Sequence, residues 1–190
     1  MAKLKLQVQV TVDGFIGGSN GEMDWMTWAW DDALKEYVGK LTDPVQLILL
    51  GRKMSEGFIP HWQKACEADP NDLIARKFTD TRKVIFSKRL KQIEGKNVTV
   101  SDNIDEIATL VAETDGDTIV YGGATFVSSL IKHNLIDEYY LFVNPVIIGQ
   151  GLPIFQKVED RLPLTLVESI GFDCGITVLH YKKITLKQTV

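Results

Sequence analysis

The nine residues Thr118-Ile119-Val120-Tyr121-Gly122-Gly123-Ala124-Thr125-Phe126 constrain the fold more than any other stretch of this chain. A short apolar run enters a glycine pair and continues without a spacer into a helical pattern, with Phe126, Val127, Leu130 and Ile131 on one face. Asn134 stands where a left-handed cap would end that helix. Two residues without Cβ atoms at a strand-to-helix junction let an anion reach free main-chain N–H groups at the positive helix end. A phosphate or pyrophosphate needs that access. A tight turn that only lets the helix pack on its sheet would use the same pair, and the rest of the chain decides between the two readings.

The order of elements reads as β-α repeats followed by a β-only tail. Residues 4–12 alternate as a strand with one polar face, and Asp13 to Gly21 forms a long glycine-rich loop. Trp25, Trp28 and Trp30 lie within six positions, as core or as the wall of a pocket for a flat ligand. A helix is expected over Asp31 to Leu41, with Asp31 and Asp32 in its first turn. Val45 to Leu50 is continuously apolar but for Gln46, the mark of a parallel strand covered on both faces. A short helix is expected from Met54 to Phe58, irregular chain from Pro60 to Asn71, and a helix from Asp72 to Thr79. Strands follow at Lys83–Phe86 and Asn97–Val100, then a helix with Asn103 and Glu106 at capping-box spacing. Beyond the glycine-pair helix come a strand over Glu138–Val143 and an antiparallel hairpin, 164–170 with 176–184, at the sheet edge. The fold expected is α/β, a three-layer sandwich around a mixed, mostly parallel sheet, with residues 1–190 as a single domain.

Three strand ends carry ligand-binding groups: Gly51-Arg52-Lys53, Ser87-Lys88-Arg89, and Gly122-Gly123-Ala124-Thr125. In an open α/β sheet, ligands bind at the carboxyl ends of strands, so the three can share one edge. The chain carries a formal charge of −4 and has a pI near 5.4, which gives no footprint for nucleic acid or an anionic membrane. Against that acidic balance, repeated basic clusters call for a ligand with several phosphates. Arg grips phosphate bidentately and Ser adds a hydroxyl, the mix expected for a terminal 2′-phosphate, hence NADP(H) over NAD(H). Neither G-x-G-x-x-G after the first strand nor G-x-x-x-x-G-K-[ST] occurs. Cys66 and Cys174 lie far apart and the three histidines form no ligand pattern, so no metal site is expected. No signal-peptide pattern or membrane span is read, and a reducing, cytoplasmic setting fits.

Five pieces occur in order: Thr11-Val12-Asp13-Gly14-Phe15-Ile16, Leu50-Gly51-Arg52-Lys53, Val84-Ile85-Phe86-Ser87, Tyr121-Gly122-Gly123-Ala124, and Asn144-Pro145-Val146-Ile147-Ile148-Gly149-Gln150-Gly151. Together they resemble the dihydrofolate reductase-like superfamily, in the branch of the RibD C-terminal reductase domain of riboflavin biosynthesis. The resemblance implies NADPH as cofactor. Gly51, Arg52, Lys53 and Met54 with Tyr121, Gly122, Gly123, Ala124 and Thr125 would hold the pyrophosphate region. Arg52, Ser87 and Lys88 would hold the 2′-phosphate, and Ile16 and Gly17 would lie near the nicotinamide. Trp25 and Phe58 would wall the substrate pocket, and Asp31, then Asp32, would supply a proton, with Asp13 as an outsider. Helix capping is the competing role for the two helix aspartates. Trp30 stands where the family places its carboxylate. Met54 replaces the usual threonine, leaving Ser55 to offer a hydroxyl. The zinc deaminase motifs of the bifunctional enzymes, His-x-Glu and Pro-Cys-x-x-Cys, are absent from this sequence.

The activity implied is hydride transfer from NADPH to a small heterocycle, a pterin or a ribosylaminopyrimidine, with a homodimer as a possible assembly. A cofactor-binding sensor or scaffold without turnover is the alternative. A plain structural domain is a third reading, which the repetition at three strand ends argues against.

Overall fold

A computed structural model of the chain describes residues 2–184. Eight strands form one sheet: β1 (Leu4–Thr11), β2 (Val45–Gly51), β3 (Arg82–Phe86), β4 (Val98–Ser101), β5 (Asp117–Val120), β6 (Glu138–Asn144), β7 (Leu164–Gly171) and β8 (Thr177–Lys183). The helices are α1 (Asp32–Thr42), α2 (Arg52–Ala68), α3 (Leu73–Asp80), α4 (Ile107–Ala112), entered through a 3₁₀ turn over Ile104–Glu106, and α5 (Ala124–Lys132). The sheet order is β4-β3-β2-β5-β1-β6-β8-β7, parallel from β4 through β6 and antiparallel for the last two pairings. The expected three-layer, mostly parallel architecture with a hairpin at the edge is the one observed.

The helices sort onto two faces by side-chain parity. Leu4, Leu6, Val8 and Val10 of β1, with Leu47, Leu49 and Val120, pack under α4 and α5 through Ile107, Val127, Leu130 and Ile131. On the opposite face Ile48, Leu50, Ile85 and Ile119 pack under α2 and α3 through Ile59 and Phe78. A third cluster on that same face joins Leu34 and Leu41 of α1 to Tyr140, Phe142 and Val178. Each fully buried aliphatic side chain contributes roughly 1.5–3 kcal/mol relative to exposure, so these three clusters dominate the folding energy.

Two local expectations change. The polar face of β1 is not solvated: Lys5 is 6% exposed and Gln7 6%. β1 is a central strand of a sheet with helices packed on both faces, and Lys5 is held by Asp117 at 2.6 Å. The short helix expected at Met54–Phe58 instead runs seventeen residues through Pro60. Phe58 and Ile59 before the proline and Trp62 after it pack on one cluster, and this packing outweighs the lost N–H and the ring's steric demand. The left-handed Asn134 (φ 52°) occurs as read, and Asn103 caps its helix by accepting from the Asp105 N–H at 3.1 Å, but its own N–H goes to the Ser101 hydroxyl at 3.1 Å, not to Glu106, so the capping box does not close. No helix of the described residues is long and apolar enough to cross a membrane.

Candidate functional site

Parallel pairing from β4 to β6 aligns the carboxyl ends of six strands along one edge. In spatial order these ends present Ser101, Ser87, Gly51, Tyr121, Val12 and Pro145. β2 and β5 are neighbours, yet α2 leaves β2 toward one face and α5 leaves β5 toward the other. Such divergence opens a crevice at the sheet edge, the position where α/β proteins receive ligands.

Both helices begin at glycines. Gly51 caps α2 and Gly123 caps α5, and neither end receives a side-chain hydrogen bond. The first-turn N–H groups of two helices therefore stay available beside one crevice, with two positive dipole ends together. A Cβ on Gly51 would stand 3.0 Å from the Cβ of Phe126, so the α2 entry is seated directly against the first turn of α5. Gly123 has φ +86°, a conformation that side chains rarely adopt. These features fit a pyrophosphate, which needs main-chain donors and no Cβ in its path.

The flanking residues extend the site along the edge. Arg52 reaches over the surface of α2 to Glu56, so its guanidinium is held by an exposed partner that a phosphate can replace. Lys53 and Lys88 are exposed, and Met54 lies beside Gly122. The Ser87 oxygen accepts from the Arg89 and Leu90 N–H groups at 3.1 and 2.9 Å, a turn that leaves its hydroxyl proton free to be donated. Next to Ser87, a cavity of about 290 Å³ is lined by Lys91, Ser101, Asp102, Asn103 and Glu106. The sequence reading passed over these as a strand end and a helix cap. The alignment of β3 with β4, Phe86 beside Ser101, brings them to Ser87. Ala124 is half-buried and Thr125 exposed on the first turn of α5.

Other expected residues are placed differently. Ser55 is fully buried and donates to the Arg52 carbonyl at 2.7 Å, so it offers no hydroxyl to a ligand. Asp31 is the N-cap of α1: one oxygen accepts from Leu34 N–H at 2.8 Å and the other from Cys174 N–H at 3.0 Å. These bonds hold its carboxyl below the usual range, the Leu34 bond most. Asp32 faces solvent and pairs with Lys35. Asp13 accepts from the N–H groups of Gly149 and Ile148, and its carboxyl is lowered chiefly by a hydrogen bond from Thr11. All three carboxyls are thus in capping or solvated positions. Trp25 is half-buried, with its indole N–H given to the Glu22 carbonyl. Phe58 stacks on Tyr121 at 5.5 Å and meets Phe78 at 5.7 Å, inside the aromatic cluster under α2 and α3.

The loop carrying Ile16 and Gly17 is tied to the segment after β6. Ile16 N–H donates to Leu152 and Leu152 N–H donates to Gly17, while Val12 N–H donates to Val146. The Asn144 side chain takes the Thr27 N–H on its Oδ1 at 2.9 Å and donates from its Nδ2 to Gln9 Oε1 at 2.8 Å. Sequence motifs flagged both segments separately. Their pairing is a long-range event without a local signal.

The family model of the RibD C-terminal domain matches residues 2–178. This chain belongs to the RibD C-terminal domain family. The match to the family spans the glycine turns at both β2 and β5 and the paired loops beyond β1 and β6. The uncharacterised protein YyaP of Bacillus subtilis (strain 168) is 29% identical over 180 residues, covering 94% of each chain. Acinetobacter baumannii RibD superposes with a TM-score of 0.65 at 18% identity, over 97% of this chain and 59% of that one. Dihydrofolate reductase from Enterococcus faecalis, in a structure complexed with NADP(H), superposes with a TM-score of 0.63 at 17% identity, over 96% and 97%. The RibD C-terminal domain here has the dihydrofolate reductase-like fold.

Proposed function

We propose that this protein is an NADPH-dependent reductase of a small nitrogen heterocycle, of the pterin or ribosylaminopyrimidine type. The observation that carries the reading is the pair of uncapped helix starts at Gly51 and Gly123, on neighbouring strands and opening on one crevice. Membership in a family named for a riboflavin-biosynthesis domain supports reductive chemistry, as does a fold shared with a dihydrofolate reductase.

In this reading the N–H groups of α2 and α5 hold the pyrophosphate. Arg52 exchanges Glu56 for the 2′-phosphate, with Ser87 and Lys88 beside it and the neighbouring cavity receiving the base. The bound cofactor supplies the hydride. The chain's own residues orient it and exclude water: the paired loops of Ile16–Gly17 and Asn144–Leu152 close one end, and Trp25 adds an aromatic wall. Asp31 and Asp13 are held ionised by their hydrogen bonds, so the proton for the acceptor is drawn from solvent.

The same observation favours a second reading, an NADP(H)-binding sensor or scaffold without turnover, because no carboxyl in the expected positions is poised as an acid. Titration with NADPH, followed by its oxidation with a panel of pterins and aminopyrimidines, separates the two. Binding with no oxidation by any acceptor supports the sensor, and no binding removes both.

A further inference from the structure

Two turns meet at the carboxyl ends of β1 and β6. In the first, Thr11 N–H donates to the Phe15 carbonyl at 2.9 Å and Gly14 N–H to the Thr11 carbonyl at 2.9 Å. The second follows β6, and main-chain bonds join it to the first at both ends, through Val12 to Val146 at 2.9 Å and Ile16 to Leu152 at 3.0 Å. Between those ends lies the segment 147–149. Among the described residues, the hydrogen bonds that fix it all go to the Asp13 carboxylate, which takes Gly149 N–H at 2.7 Å and Ile148 N–H at 3.4 Å. From the β1 side the Thr11 hydroxyl donates to the same carboxylate while accepting from Phe15 N–H at 3.0 Å. Thr11 is 1% exposed, so this brace belongs to the core, whereas Asp13 lies at the surface. A single side chain thus fastens one turn to the other.

We propose that Asp13 is a positioning residue for the nicotinamide half of the cofactor, its carboxylate, braced by Thr11, presetting the turns after β1 and β6 as one wall of the site. The inference rests on the NADPH reading and deepens it. Strand order gives the direction: with the 2′-phosphate at Ser87 on β3 and the pyrophosphate at the starts of α2 and α5, the chain of the ligand runs on toward β1 and β6. Those strands lie three and four places from β3, roughly 14–19 Å across the sheet, which only the second nucleoside of a dinucleotide reaches. Asp13 acts through the turns and not on the reacting atoms, since both of its oxygens already accept main-chain N–H groups. Fixing a loop in the conformation that receives the ligand removes the cost of ordering it on binding.

The test uses the full chain and two ligands titrated by calorimetry: NADPH, and adenosine 2′,5′-bisphosphate, which keeps the 2′-phosphate and lacks the nicotinamide half. Wild type is expected to bind NADPH the more tightly. Asp13→Ala is expected to weaken NADPH about fivefold or more, the factor that one typical hydrogen bond carries, and to leave the bisphosphate within about twofold. Asp13→Asn keeps one acceptor oxygen, should fall between, and carries the comparison alone if Asp13→Ala does not fold. Thr11→Val, which removes the brace and keeps the shape, should shift NADPH in the same direction. A merely structural role moves both ligands together. Equal losses for the two ligands, unchanged NADPH affinity in the Asp13 variants, or a wild type that binds NADPH no more tightly than the bisphosphate overturns the role of Asp13 and leaves NADPH binding standing. A wild type that does not bind NADPH overturns both.

Discussion

A Cβ built on Gly123 would stand 3.4 Å from the Cα of Gly51, so the glycines that open α5 and α2 lie against each other across the β2–β5 crevice. Gly123→Ala is therefore expected to cost stability as well as cofactor affinity. Strain at a φ of +86° is on the order of 1–3 kcal/mol. Gly57→Ala is the control, because its added methyl meets nothing within 4 Å inside α2 and should stabilise by roughly 0.5–1 kcal/mol. Thermal melts and NADPH titrations of both variants check this. A Gly123→Ala chain that melts and binds like wild type would reduce the pair to a turn.

Cofactor choice depends on the exchange of Glu56 for phosphate at Arg52. Arg52→Ala should weaken NADPH by about ten- to a hundredfold, since a charge-assisted bond contributes about 1.5–3 kcal/mol, and should leave NADH nearly unaffected. Glu56→Gln releases Arg52 from its intrahelical partner and should tighten NADPH modestly. Calorimetry with both nucleotides decides. Equal wild-type affinities for NADPH and NADH would remove the 2′-phosphate assignment.

Asp31 is expected to behave as a cap. Its folded-state acidity is depressed, so the stabilisation it gives is present above its unfolded value and fades as pH falls through the lower folded one. Asp31→Ala should lower the melting temperature at pH 7, with the gap to wild type closing in strong acid. Asp31→Asn, a good cap itself, should change little. Turnover of whichever acceptor proves active should be nearly unchanged in Asp31→Asn. A loss of roughly 10²–10⁴-fold, the range for a missing general acid, would restore Asp31 to the chemistry.

His180 stacks on Tyr140 at 4.0 Å and faces Glu138, Glu168 and Lys5. Burial lowers it, the Glu138 carboxylate opposing. A histidine less basic in the folded state binds its proton first when unfolded. Stability should therefore be full above the unfolded value of about 6.5 and decline as pH falls below it. His180→Phe keeps the stack and removes the titration. Denaturant melts between pH 7.5 and 5 should show a flatter profile for the variant, and identical slopes would exclude His180 as the source.

The sequence by itself determined the elements whose signal is local. The apolar run Val45–Leu50 announced a strand covered on both faces, Asn103 and Asn134 announced helix ends, and the alternation around Gly171–Gly175 announced a hairpin. Each depends on side chains within a few residues of one another, and strand and helix periods record that directly. Glycines at the ends of β2 and β5 likewise marked a place where a Cβ is excluded. Only the tertiary structure decided what each of these faces. Lys5 and Gln7 read as the polar face of a strand, and alternation alone does not tell whether such a face is solvated or, as in the central strand β1, buried. Pro60 read as a helix stop because the packing of Phe58, Ile59 and Trp62 on distant strands is invisible locally. Asp31 read as either a cap or an acid, and one of the two N–H groups its carboxylate accepts from belongs to Cys174, 143 positions away. Burial and hydrogen bonding turn a carboxylate into a cap or an acid, and both are set by residues that chain order keeps apart.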